Sequence, residues 1–504
     1  MILSVHHSKP PRAKSCLALA AGLVLGLVSL PAAFGQTPWT NFAKEAQHNA
    51  ASTIASQSLN GIHWQTPVDL DPQYSGSELL IHYGTPLITA ANTVIVPVKT
   101  EADGGFRVDA RSAADGTLEW SAPTDYVLPP KHGWTPEFGP ALTADRLYFP
   151  AAGGTILYRD HPHSATGTEG RLAFYGLSNY QADPSGFADS VYIDTPLTTD
   201  PSGNIYFGFL VVGASPLSGL TSGIARIGAD GQGTWIPVTT AASDLTMTEV
   251  AYNCAPGLNW DRTTLYIAVS NQIGGYLVAL NSTTLAPVAR VQLKDPKSGK
   301  DASLSDDSSA SPTAGPDGDV YYGVLENPPG ENGGRGWMLH FNAALSETKT
   351  PGAFGWDDTA SVVPASMVTS YTGTSSYLLM TKYNSYYNEE YRIAILDPNA
   401  TEIDPVTGET VMNEVLSILG PTSNPDGRGV KEWCINSAAV DIPGKSILAN
   451  NEDGKMYRWD LTTNTLSQTV VLTEGLGEAY TPTAIGMDGT AYAINNAILF
   501  ALGN

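Results

Sequence analysis

From Thr85 onward, apolar and polar positions alternate in bursts of roughly 4–8 residues, each closed by Gly, Pro, Asp or Asn, which is the signature of strands and tight turns rather than helices. One pattern recurs. SPTAGPDGDVYYG begins at Ser311, TPLTTDPSGNIYFG at Thr195, TPTAIGMDGTAYAI at Thr481, GPALTADRLYFP at Gly139 and TPLITAANTVIVP at Thr85. Each reads as a short strand, a turn and a second strand of aromatic or β-branched residues. Two further strands follow, as in Phe106–Ala110 and Thr117–Trp120 about the Asp115-Gly116 turn.

Starts of this unit fall at Pro86, Pro140, Pro196, Pro256, Pro312, near Pro364, at Ile435 and at Pro482. The sixth is blurred, with a hairpin-like DPVTGETV from Asp404, and seven units would follow if it is not a true copy. The last copy ends after its third strand, while an orphan strand at Trp64–Val68 has no sheet of its own. A four-stranded sheet cannot bury its faces alone, so copies set radially bury them on one another, and the orphan strand completes the last blade. The pattern predicts an all-β, eight-bladed β-propeller of four-stranded antiparallel blades, its ring closed by the N-terminal strand joining the C-terminal blade. A solenoid or an array of sandwiches would not leave such complementary ends.

Composition adjusts the picture at its edges. Fifty glycines, 35 prolines and 23 tyrosines in 504 residues suit a turn-rich ordered β protein. Residues 1–35 read as a secretory signal peptide: His6, His7, Lys9, Arg12 and Lys14 precede an apolar run from Cys16 to Leu30, and Ala33-Phe34-Gly35 offers a cleavage site. That run is shorter than the roughly 20 residues that span a bilayer, so no membrane anchor is expected. Residues 36–504 then form one propeller domain, secreted or periplasmic and monomeric. The net charge of −23 argues against nucleic acid, whose phosphates need clustered Lys and Arg. Beyond the leader the cysteines are Cys254 and Cys434, which an exported protein could pair, although nothing in their spacing fixes it.

In a propeller, the segments leading into the innermost strands crowd around one mouth of the central funnel. Here they hold His82, Tyr83, His132, Trp134, Glu137, Asp194, Glu249, Asn253, Trp356, Asp357, Trp433, Asn436, Glu478 and Tyr480. This acidic and aromatic set suits a hard cation such as calcium, or a sugar or other polar ligand. Carboxylates near an axis also cap turns and bind water, so only their shared register marks them as a set. His161 and His163 could reach one metal from a loop, but no third ligand accompanies them.

SAADGTLEWSAP from Ser112, the repeated PxxxxxDGxxY start and the N-terminal WTNFAKEAQHNAASTIA resemble the quinoprotein-like propellers, the superfamily of PQQ-dependent alcohol dehydrogenases and their non-enzymatic relatives. The resemblance implies the eight-bladed fold over the whole mature chain. It also implies, for the dehydrogenases, an adjacent cysteine pair over the cofactor and an Asp base beside a calcium-ligating Glu and Asn. This chain has no Cys-Cys, and no segment matches the Asp, Glu and Asn set. It therefore resembles the exported members of unassigned function more than the enzymes, and PQQ is not expected. The expectation is an exported propeller that binds a small polar ligand, a carbohydrate or an envelope protein at its funnel, without assigned catalysis. Two alternatives stay open: an enzyme using the same funnel, either a polysaccharide lyase or hydrolase or a PQQ-linked oxidoreductase, and an envelope assembly scaffold.

Overall fold

The computed structural model describes residues 37–76, 78–130, 133–304, 310–387, 389–433, 435–475 and 482–504. The expected signal peptide lies outside them. Eight small sheets follow one another along the chain, and every pair of successive strands within a blade is antiparallel. The first blade is typical. A two-residue inner strand, Leu87–Ile88, pairs with Thr93–Glu101, which pairs with Gly104–Ser112, which pairs with Leu118–Thr124. TVIVPVK is buried on both faces because each blade is sandwiched between neighbours, and only the outermost strand alternates toward solvent.

Register explains the repeated aromatic. Tyr148, Tyr206, Tyr266, Tyr321 and Tyr492 each pair with a residue of their blade's inner strand, and all five are buried. The sixth blade is a true copy, built from Ser361–Pro364, Tyr377–Lys382, Arg392–Ile403 and Thr410–Leu419, and DPVTGETV is the turn joining its last two strands. The fifth blade has three strands, and its outer position is held by an irregular run bridged at Thr348 and Gly352. Closure follows the expected route: Gly61–Pro67 pairs antiparallel with Ile498–Gly503, and Trp64 donates its indole N–H to the Ala113 carbonyl at 2.8 Å.

The segment before that strand does something the repeat pattern does not announce. Backbone amides of Ile88, Leu142, Leu258, Ala314, Val362 and Val440 donate in turn to the carbonyls of Trp39, Thr40, Ala46, Gln47, Asn49 and Ala50, at 2.7–3.0 Å. The third blade joins through Asn41, whose Oδ1 accepts from the Thr199 amide at 2.7 Å and whose Nδ2 donates to the Thr199 carbonyl at 3.2 Å. The chain thus visits blades one to seven in order before becoming the outer strand of the eighth. It fills the axis at the far end of the inner strands, with Trp39, Phe42, Lys44, His48 and Asn49 almost wholly buried. So tight a circuit forces left-handed backbone at Ala43, Lys44, His48 and Ala50, a conformation that side chains disfavour. Among the described residues no helix is long and apolar enough to cross a membrane.

Candidate functional site

The opposite end of the inner strands carries the funnel residues. Inner strands are two to four residues long, so the two ends of the axis are separated by roughly 7–13 Å at about 3.3 Å per residue. Around this end runs a hydrogen-bonded girdle. The Thr85 amide donates to Glu137 Oε1 at 3.2 Å, the Glu137 amide to Asn253 Oδ1 at 2.9 Å, and the Asn253 amide to the Asp194 carbonyl at 3.0 Å. Ser311 Oγ donates to the Asn253 carbonyl at 3.5 Å, and the Ser311 amide donates to Thr359 Oγ1 at 3.0 Å. The Thr359 amide then donates to the Asn436 carbonyl at 3.0 Å, and the Thr483 amide to the Ser437 carbonyl at 3.4 Å. Every blade contributes at least one member. Gly84 is required beside it, because a Cβ there would lie 2.2 Å from the Phe138 carbonyl oxygen.

Burial sets the chemistry of this ring. Glu137 is enclosed, and loss of water pushes its carboxyl up to about 8 against the hydrogen bonds from Thr85. Asp194 is driven well above the usual carboxylate range by burial, with the nearby charge of Glu249 adding to it. Neither Asp194 oxygen has a hydrogen-bond partner, and both amide atoms of the fully buried Asn436 are likewise unmatched, as are the hydroxyls of Ser437 and Thr483. Buried polar groups left in this condition each cost roughly 1–3 kcal/mol, so four such residues in one register point to polar atoms that come from elsewhere. Asn253, left-handed at φ 57°, uses its Nδ2 to donate to His82 Nδ1 at 3.3 Å. The His82 ring stacks on half-buried Trp134 with centroids 5.4 Å apart.

A second group sits on blades five to seven. Lys382 Nζ lies 3.7 Å from Asp357, which has φ 49°, and both are buried. Asp358 accepts from the Thr381 hydroxyl, and burial raises its carboxyl to about 7 while the Lys382 charge pulls the other way. Glu432 is also raised by burial and accepts from the Tyr386 hydroxyl; Asn384 donates to its Oε1 at 3.4 Å. Trp356 marks the edge of this group, half-buried, with its amide donating to the Arg335 carbonyl at 3.1 Å.

The structure thus brings together His82, Trp134, Glu137, Asp194 and Asn253, with Asn436 across the girdle and Asp357 beside Lys382. Glu249 is buried near Asp194, and its Oε2 accepts from Gln272 at 3.3 Å. Two expected residues point to other work. Tyr83 donates to Asp69 at 3.0 Å, beside the buried Asp69–Lys99 pair, and Trp433 packs in the core between blades six and seven against Tyr457. His132, Glu478, Tyr480 and Cys434 lie outside the described residues. Cys254 is a free, buried thiol whose Sγ accepts from the Ala268 amide at 3.4 Å. His161 and His163 sit edge-to-face at 6.3 Å. Among the described residues no group of three His, Cys, Asp or Glu side chains is placed to hold a metal ion.

Sequence reasoning missed Lys382, Thr85, Ser437 and Thr483. Lys382 had a signal, since it closes the apolar strand YLLMTK at a buried position where a charge needs a partner. The hydroxyls had none, because Ser and Thr at the entry to a strand also serve turns.

No family model and no curated protein matches the chain. Solved structures do. A europium-containing methanol dehydrogenase superposes with a TM-score of 0.56 at 9% identity, over 91% of this chain and 89% of its own. The quinohemoprotein alcohol dehydrogenase of Comamonas testosteroni gives 0.53 at 12% identity over 92% and 77%, and one from Pseudomonas putida HK5 gives 0.51 at 13% over 93% and 76%. The chain has the propeller fold of these quinoprotein dehydrogenases. The quinone of such enzymes is a tricarboxylate that calls for free cationic groups, and Lys382 on this ring is already engaged by Asp357, 3.7 Å away.

Proposed function

We propose that this is an exported, monomeric propeller that binds a small, neutral, hydroxyl-rich ligand, such as a carbohydrate, at its axial girdle. The observation that carries the reading is that neither Asp194 oxygen and neither side-chain amide atom of Asn436, all buried, has a hydrogen-bond partner. A carboxyl that burial keeps protonated both donates and accepts, and an amide does the same, so the two suit hydroxyls better than a bare cation. The His82–Trp134 stack offers a flat apolar face for a sugar ring or comparable surface.

The test is a thermal-shift screen of the purified mature protein against oligosaccharides, polyols, divalent metals and PQQ with calcium. A neutral polyhydroxy compound at about 100 times its Kd is expected to stabilise by ~2.7 kcal/mol, and the shift should vanish in Trp134→Ala with Asn436→Ala. Stabilisation by PQQ with calcium instead, or a shift indifferent to those changes, would sink the reading. A second reading, polysaccharide cleavage on the same face, is favoured by Glu137 and Asp358, whose carboxyls change protonation near neutrality, at about 8 and about 7. Mass spectrometry of each stabilising oligosaccharide after incubation separates the two: intact ligand supports binding alone, and fragments support cleavage.

A further inference from the structure

A cleft of about 550 Å³ opens away from the axis, between the fifth and sixth blades. Its size is that of a small-molecule site, typically about 300–1,000 Å³. Two extensions build it. The strands Arg392–Ile403 and Thr410–Leu419 form one wall with their connecting turn, and a glycine-rich loop from the fifth blade reaches across to them. That loop is held from within by Glu326, whose carboxylate accepts the amides of Gly330, Gly334 and Gly336 at 3.2, 2.6 and 2.6 Å. Arg335 then locks the loop to the turn, donating to Asp404 Oδ1 at 3.1 Å and to Oδ2 at 2.6 Å, with both side chains almost fully buried. Asp404 also accepts the Thr407 amide and hydroxyl. The floor is therefore rigid and its own charges are satisfied.

Two of the remaining charges are not. Arg392 lies 3.8 Å from Glu390 and donates to Ser417 at 3.4 Å. Glu402 and Glu414 line the same cleft, and neither has a basic partner among the described residues. Beside them Ile403 and Val406 stand 65% and 47% exposed, an apolar lip where a free surface would favour polar residues. The cleft thus joins two uncompensated carboxylates to aliphatic side chains, over a braced floor. Like charges held together without a counterion repel, and a cation between them removes that cost.

We propose that this cleft binds an aliphatic ammonium, Glu402 and Glu414 taking the charge and Ile403 and Val406 the methylene stem. A free polyamine and the lysine side chain of a partner protein share that chemistry. Titration calorimetry of the purified protein with spermidine, and separately with a short lysine-bearing peptide, tests it. Saturable one-to-one binding is expected, weakened roughly tenfold, about 1.4 kcal/mol, by Glu402→Gln with Glu414→Gln and unchanged by Glu119→Gln, an acidic change on an outer strand elsewhere. The single Glu414→Gln variant, a smaller change, should show an intermediate loss and serves if the double variant does not fold. Tighter binding of spermidine assigns a free polyamine, and tighter binding of the peptide assigns a partner's lysine. No saturable heat with either probe, or equal losses in the Glu119 and Glu402/Glu414 variants, overturns the proposal.

Discussion

Glu137 ties the entry to its own second blade to those of the first and fourth, through the Thr85 amide on its carboxyl and its own amide on Asn253, and it does so at a buried position. Its carboxyl titrates near 8 in the folded protein and near 4.5 when exposed. As pH rises the unfolded chain gives up this proton first, so the group's contribution to stability is full below about 4.5 and is lost on the way to about 8. Glu137→Gln keeps an acceptor for the Thr85 amide and cannot ionise. Melting curves of the variant and the parent should therefore converge near pH 4.5 and separate in the variant's favour by pH 8, by at most ~1.4 kcal/mol for each unit of raised pKa. A variant that loses equally at both pH values would show that the carboxyl is ionised in the fold. The acidic rim itself was legible in the sequence as residue types in one register. Its protonation was not, because that depends on how completely Glu137, Asp194 and Asp358 are enclosed by other blades.

At the scale of elements, the N-terminal segment ties the inner strands together at the end away from the girdle. Its residues are small and polar, and they show neither helical nor strand periodicity because their partners are the ends of seven different inner strands. The pattern reading accordingly found the closing strand at Trp64 and passed over the circuit before it. Trp39 and Phe42 were the visible hint, two large apolar residues in a polar stretch. Asn41→Ala tests the circuit at its side-chain link. The change strands the buried amide and carbonyl of Thr199, so it should lower stability by roughly 2–4 kcal/mol, measured as the midpoint of chemical denaturation. A loss of a few tenths, the usual result for a surface Asn, would mean that water reaches Thr199 and the axis is open at that end.

For the whole molecule, the repeat made the blade count readable because each copy must present the same buried faces to its neighbours, and the blurred sixth copy still does. What the repeat could not show is the difference between copies. The fifth blade's missing outer strand and the long sixth-blade strands lie where one blade departs from the rest, and that departure creates the outer cleft. The axis differs in another way, since its site is shared by all blades and belongs to none. The central claim is that the girdle supplies polar groups to a ligand. A crystal structure of the protein with the strongest stabilising compound from the screen tests it most directly. Density is expected on the axis with polar atoms within hydrogen-bond distance of both Asp194 and Asn436 and a flat face on the His82–Trp134 stack; density confined to another surface, with water alone at Asp194 and Asn436, would overturn the proposed binding.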